Sequence, residues 1–237
     1  MASSSVHLTE GATLHFIAEN TSIPVPKVHC SFVRKGKAYI VMERIRGERA
    51  SAAWGRLSQD GRDKILGQLS EMVREFRGLK PAPGVVGVES CVGGSLCDTR
   101  IPRRDPRFGP FKTIQEFHRW LREGFKTADY LNNPRNLSEA DWRDLHDMIE
   151  MQDGEWPAPV FTHCDLSPFD LIVRDGELVG IIDWEFSGWY PCYWEYTSAW
   201  RGGVTRTAWR DAVMGALEAF PTELRMESTR CRWWGEW

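Results

Sequence analysis

Apolar positions recur at two periods along this chain, and the changes of period predict its elements. Leu14 and Ile17 share a face of a predicted helix from Glu10 to Asn20, with Thr9 placed to cap it. Ile23-Pro24-Val25-Pro26 must be extended, because proline restricts itself and its predecessor. That segment feeds a strand from Val28 to Val33, a turn at Lys35-Gly36-Lys37 and a strand from Ala38 to Met42. Glu43 to Gly47 then reads as a linker. From Ser58 to Arg77 the spacing becomes helical, with Ile65, Leu66, Leu69, Met72, Val73 and Phe76 forming a core stripe.

Glycine and proline break the pattern from Gly78 to Gly94, where one short strand is expected at Val85 to Val88. Residues Cys97 to Lys112 carry no period. Their Arg100, Arg103, Arg104 and Arg107 suit either an anionic ligand or a solvated loop. Thr113 to Glu116 is a capping box opening a helix with Phe117, Trp120 and Leu121 inside. Ser138 and Asp141 frame another helix start, which buries Trp142, Leu145, Met148 and Ile149. At Val160 the period shortens. A short apolar strand leads to a polar loop at His163-Cys164-Asp165, then a strand Leu171 to Val173, a turn at Asp175-Gly176 and a strand Leu178 to Ile182 that delivers Asp183. Trp189 to Trp200 is aromatic-rich, Thr205 to Phe220 has helical spacing through Trp209, Val213 and Leu217, and the tail Arg225 to Trp237 shows no strong pattern.

Length and charge narrow the function classes. At 237 residues the chain can bury a real core, and its formal charge of -3 carries no polybasic footprint, which argues against a nucleic-acid partner. No apolar run approaches bilayer thickness, and the start MASSSVHLTEG lacks a secretory core, so a soluble, cytoplasmic protein with no membrane partner is expected. The six cysteines show no CxxC pairing and are expected to be reduced thiols.

The chemistry concentrates in one hairpin. Asp165, Asp170 and Asp183 converge there, and such an arrangement suits phosphoryl transfer, where a protein positions two oxygens in line and neutralises charge. Asp165 would orient an acceptor hydroxyl and take its proton. Asp170 and Asp183 would hold Mg²⁺, which needs only one or two carboxylates. The order H-x-D-x-x-x-x-[N/D], then I-D-W-E about a dozen residues on, is the catalytic-loop and metal-loop pattern of kinase-like enzymes.

On these residues the chain resembles the aminoglycoside phosphotransferase and choline-kinase-like family of small-molecule kinases, in particular its fungal-type members. Their usual H-G-D-L-x-P-x-N-I-L-V and G-x-I-D-W-E-x-A-G-x-x-P stand beside HCDLSPFDLIV and GIIDWEFSGWYP here. NTSIPVPKVHC, KGKAYIVMERIRGE and GPFKTIQEFHRWL extend the similarity over nearly the whole chain. The resemblance implies an α+β, protein-kinase-like two-lobe fold with a truncated small β lobe, residues 1–46, and a mainly helical large lobe, residues 47–237. It also implies ATP as donor, Mg²⁺ as cofactor and a small-molecule hydroxyl acceptor. Glu10 falls where members carry the Glu that pairs with an ATP-anchoring Lys, although alone it reads as a charge complementing a helix dipole. His163 would tie the catalytic loop to the metal-loop backbone rather than act as base, and Glu185 would approach the acceptor or pair locally.

Two departures matter. Asp170 replaces the usual Asn, which keeps an oxygen ligand and adds a charge. Cys164 replaces the usual Gly; in an extended chain its thiol would point away from His163, which argues against a cysteine hydrolase. Nine residues precede Glu10 and none is Lys, so the Gly-rich loop and Lys strand are expected to be missing and nucleotide binding to be weak. That expectation keeps open a degenerate kinase-like protein that binds a metabolite or protein partner without turnover, and an amino-terminally incomplete chain.

Overall fold

A computed structural model describes residues 7–101, 105–128, 138–202 and 207–235. Helix α1 (Leu8–Asn20) is capped by His7 rather than Thr9: the His7 side chain accepts the Thr9 N–H at 3.2 Å, so the helix starts two residues early. Strands β1 (Val28–Arg34) and β2 (Lys37–Met42) pair antiparallel across Lys35 and Gly36, whose φ values of 52° and 70° make the tight turn that matches strand twist. Gly11 lets α1 lie close over this hairpin, since a Cβ there would already stand 3.4 Å from the Ser31 Cβ. The helix in turn packs Phe16 against Phe161 and Trp189, with ring centroids 5.2 and 6.1 Å apart. The hairpin therefore leans on α1, and α1 on the main core, while Phe32, Val33 and Val41 remain exposed.

The chain continues through β3 (Glu48–Arg49), α2 (Ala50–Ala53), α3 (Gln59–Arg77), β4 (Leu96–Cys97), β5 (Arg107–Phe108), α4 (Ile114–Leu121), α5 (Glu139–Asp153), β6 (Val160–Thr162), β7 (Leu171–Arg174), β8 (Glu177–Ile181), β9 (Gly188–Tyr190), α6 (Trp194–Gly202), α7 (Thr207–Ala216) and α8 (Pro221–Trp234). Caps form where the sequence offers them: Ser58, Thr113 and Ser138 each accept the N–H three residues on. The Glu116 carboxylate reaches back to the N–H of Lys112, one residue before the cap. In α3 the expected stripe is buried through Ile65, Leu69, Val73 and Phe76.

Three segments differ from expectation. Val85 to Val88 is no strand; Val88 alone bridges to Phe111. The aromatic-rich stretch begins with β9, which pairs with β6. The tail folds as α8, whose buried face is Met226, Glu227 and Arg230. That face escapes a search for apolar periodicity because two of its three members are charged. The start of the helix expected at Thr205 lies outside the described residues.

Strands β3, β7 and β8 form one antiparallel sheet in that order. Gly47 permits the entry, since a Cβ there would meet Ile172 Cγ2 at 2.6 Å and the Val173 carbonyl oxygen at 2.8 Å. Buried apolar residues form two clusters, and the 163–186 segment supplies both: Leu166 and Trp184 to one, Cys164 and Phe186 to the other. The polar loop thus sits on the seam of the core, where packing from both sides restrains it. No helix among the described residues is long and apolar enough to cross a membrane.

Candidate active site

The β7–β8 hairpin brings two of the predicted carboxylates to one end. Its turn residues Asp175 and Gly176 both have positive φ, and its register pairs Leu171 with Ile181. One step further, the Ile182 N–H donates to the Asp170 carbonyl at 2.8 Å, so Asp170 and Asp183 leave the sheet together. Asp183 itself is left-handed, with φ of 63°.

His163 joins its own loop to this end. Its Nε2–H donates to the Ile182 carbonyl at 3.1 Å, and its Nδ1 accepts the Asp165 N–H at 3.1 Å. The two bonds assign one tautomer. Burial lowers its pKa to about 4, so the ring is neutral near pH 7 with both nitrogens engaged.

Cys164 is not extended, contrary to the sequence expectation. Its φ is 73°, a left-handed conformation that costs a non-glycine residue about 1–3 kcal/mol. Three bonds hold it. The Glu195 carboxylate accepts the N–H of His163 at 2.6 Å and of Cys164 at 3.1 Å, while Arg100 Nη1 donates to the Cys164 carbonyl at 2.8 Å. Burial raises the Glu195 pKa to about 7, so the Arg100 bond is the one to a fully charged group; at about 1.5–3 kcal/mol, with about 0.5–1.5 kcal/mol from each of the other two, the three outweigh the strain. The thiol is fully buried against Tyr190, and burial pushes its pKa well above the usual range. Cysteine hydrolase chemistry is excluded by that burial rather than by an extended backbone.

Like charges dominate the rest of the site. Burial, reinforced by Asp165 and Asp183, pushes Asp170 up to about 7, against the opposing Ser167 hydroxyl bond and the Arg49 charge. Asp183 is raised by burial and then by Asp165. Glu185 rises to about 7 through burial, Asp183, Asp165 and Asp98, and Glu10 to about 7 through burial, Asp183 and Glu185. Helix α1 therefore places Glu10 within the field of Asp183 and Glu185. Gly202, at the end of α6, borders Asp165: a Cβ there would lie 3.9 Å from its Oδ1.

Of the four arginines singled out, Arg100 reaches this site. Asp98 binds its Nε at 2.8 Å and its Nη2 at 2.7 Å, its guanidinium lies 5.0 Å over the Phe186 ring, and its Nη1 stands 4.0 Å from Asp165 Oδ1. Arg107 instead ties Ser95 through its carbonyl and hydroxyl, and Arg103 and Arg104 lie outside the described residues. Asp98 and Glu195 were not foreseen. They come from segments 67 and 30 residues from Asp165 that carry no motif of their own.

Among the described residues, three metal-ligating side chains close to within 4.8 Å of one another only at His146, Asp147 and Glu150, on the open surface of α5. Asp170 and Asp183 are a different kind of candidate. Their donors are all oxygen, two suffice for Mg²⁺, and their proton affinities are raised by burial and then by neighbouring carboxylates, whose field a cation would relieve.

A family model described as the phosphotransferase enzyme family matches residues 7–228. No curated protein sequence matches the chain significantly. The crystal structure of aminoglycoside phosphotransferase APH(4)-Ia is similar with a TM-score of 0.62 at 13% identity, over 95% of this chain and 73% of that one. A thermostable mutant of that enzyme in ternary complex with AMP-PNP and hygromycin B gives 0.58 at 14% identity, over 92% and 71%. Aminoglycoside-3'-phosphotransferase of type VIII gives 0.55 at 18% identity, over 94% and 77%. These likenesses show the kinase-like fold, in agreement with the α+β class expected from the sequence.

Proposed function

Since this chain belongs to the phosphotransferase enzyme family, we propose that it transfers the γ-phosphoryl group of ATP to a hydroxyl of a small-molecule acceptor in an Mg²⁺-dependent reaction. The observation that carries this reading is the meeting of Asp165, Asp170 and Asp183 at one end of the β7–β8 hairpin, each within the electrostatic field of the others. The neighbour that holds AMP-PNP together with hygromycin B supports a nucleotide donor and a small polar acceptor.

Asp165 orients the acceptor hydroxyl and takes its proton as the hydroxyl oxygen attacks the γ-phosphorus; the bond to the bridging oxygen breaks and ADP leaves. Asp170 and Asp183 would hold Mg²⁺, which when bound neutralises charge on the phosphates. His163, neutral and doubly bonded, keeps the base loop and the metal loop in register. The same reading assigns residues 1–46 to a small nucleotide-binding lobe that carries Glu10, residues 47–237 to the catalytic lobe, and Glu185 to the acceptor side. All six cysteines are free, which fits the reducing cytoplasm where ATP is at hand.

Calorimetric titration with Mg·ATP tests the donor, and a screen of hydroxyl acceptors tests the transfer. Wild type is expected to bind, and Asp183→Ala to lose that binding. Asp165→Ala is expected to bind as wild type does while turnover falls by about 10²–10⁴-fold. A folded wild-type chain that binds no nucleotide, or an Asp165→Ala enzyme of undiminished activity, would refute the reading.

A further inference from the structure

We propose that Arg100, anchored on Asp98, is a positioning residue for Asp165: it holds the carbonyl of Cys164 and with it the left-handed turn that presents the Asp165 carboxylate. This inference rests on the phosphotransferase reading, in which Asp165 is the base.

The peptide unit joining Cys164 to Asp165 is held at both ends. Its carbonyl accepts from Arg100 Nη1 at 2.8 Å, and its N–H donates to His163 Nδ1 at 3.1 Å. Rotation of that unit would swing Asp165 away, so its orientation sets the aim of the carboxylate. Glu195 secures the preceding N–H groups but has no hold on this carbonyl. Only the Arg100 bond does that among the described residues.

Guanidinium geometry suits the task. Nε and Nη2 form one edge of the planar fork and are taken by the two oxygens of Asp98, which is 1% exposed; the Arg100 N–H also donates to Asp98 Oδ1 at 3.0 Å. The flat face rests over Phe186. Nη1 is left with one direction, toward Cys164 and, at 4.0 Å, Asp165. A lysine has no fork and cannot hold an anchor and a carbonyl at once in this way. Asp98 also cancels the arginine charge, so the pair orients the loop without adding net charge beside the phosphates.

Hydrolysis of Mg·ATP by the full chain, with water in place of the hydroxyl acceptor, tests this. Arg100→Ala is expected to lower kcat about 30-fold or more, the scale of a 1 Å misplacement, with KM for Mg·ATP within about threefold of wild type. Arg100→Lys should restore little, whereas added guanidinium, but not ammonium at equal ionic strength, should restore part of the kcat of Arg100→Ala. The sharpest arm is Cys164→Gly. Glycine adopts a φ of 73° without steric cost, so in that background the Arg100→Ala loss should shrink to about threefold or less.

Undiminished kcat in Arg100→Ala, or the same loss in both backgrounds, overturns the inference. Should Arg100→Ala fail to fold, Asp98→Asn and Arg100→Lys carry the test through the same split of kcat against KM, and wild-type kcat in both would overturn it. A wild-type chain that binds Mg·ATP and hydrolyses it while Arg100→Ala does so equally well sinks this inference alone. A folded wild-type chain that binds no Mg·ATP sinks the parent reading with it.

Discussion

Two regions of this protein bury charge, and they do so with opposite electrostatic outcomes. Beneath α8, Glu227 is fully enclosed; burial alone would raise its pKa, yet Arg230 at 2.8 Å and Arg201 at 3.2 Å hold it below the usual carboxylate range. Around the β7–β8 hairpin, Asp170, Glu185 and Glu10 are pushed up to about 7, because burial there is reinforced by neighbouring acids and only partly answered by Arg49 and Arg100. The first region resembles a finished ion pair. The second is an excess of negative charge that the fold sustains, which supports the proposed uptake of a divalent cation and a polyanionic donor. Balanced charge marks structure, and an excess of like charge marks the candidate site.

The comparison breaks most visibly at Glu227. Glu227→Ala leaves two guanidiniums facing a vacated buried position and should cost about 3–5 kcal/mol in urea unfolding. A loss below about 1 kcal/mol would remove the contrast, since that is the scale of an exposed pair. In the other region the sign reverses. Asp170→Asn keeps the polar contact with Ser167, keeps an oxygen ligand and removes a repelled charge, so in Mg²⁺-free buffer it should stabilise the chain by about 1 kcal/mol, while Mg²⁺-dependent nucleotide binding is retained. Destabilisation by the same change would show that the carboxylate is already satisfied.

The smallest effect is a pH slope. Asp170, Glu185 and Glu10 keep protons in the folded state that the unfolded chain has released by about pH 4.5, so stability falls as pH rises toward and through 7. His163 and His118 work the other way. With folded values of about 4 against 6.5, their contribution is present above pH 6.5 and lost as pH falls. Above pH 6.5 the carboxylates act alone, and the melting temperature should decline between pH 6.5 and 8, with saturating Mg²⁺ flattening the decline. A flat Mg²⁺-free profile would place the two regions on the same footing.

Much of the site was legible because its parts are close in sequence. Asp165, Asp170 and Asp183 lie within one strand–turn–strand unit, whose period and turn residues can be read directly, and the helices α3, α4 and α5 announced themselves by cap and stripe. Legibility failed where a long-range partner replaced the usual signal. Helix α8 buries a glutamate and an arginine, so no apolar stripe marks it. Strand β9 is read as strand only through β6, thirty residues earlier in the chain. Thr9 looked like a cap because hydroxyl residues usually are, but the His7 ring nitrogen filled that role.

The amino-acid sequence by itself determined the family and the kinase-like fold and singled out the three aspartates as candidates, since these depend on local pattern and on residues adjacent along the chain. Tertiary structure decided the shape of the turn between His163 and Asp165 and the charge state around it. Cys164 adopts a left-handed conformation that its own chemistry disfavours, and Glu195 and the Asp98–Arg100 pair arrive from two distant segments to hold it. Burial and proximity, which no single residue carries in its identity, then set which carboxylates stand unrelieved.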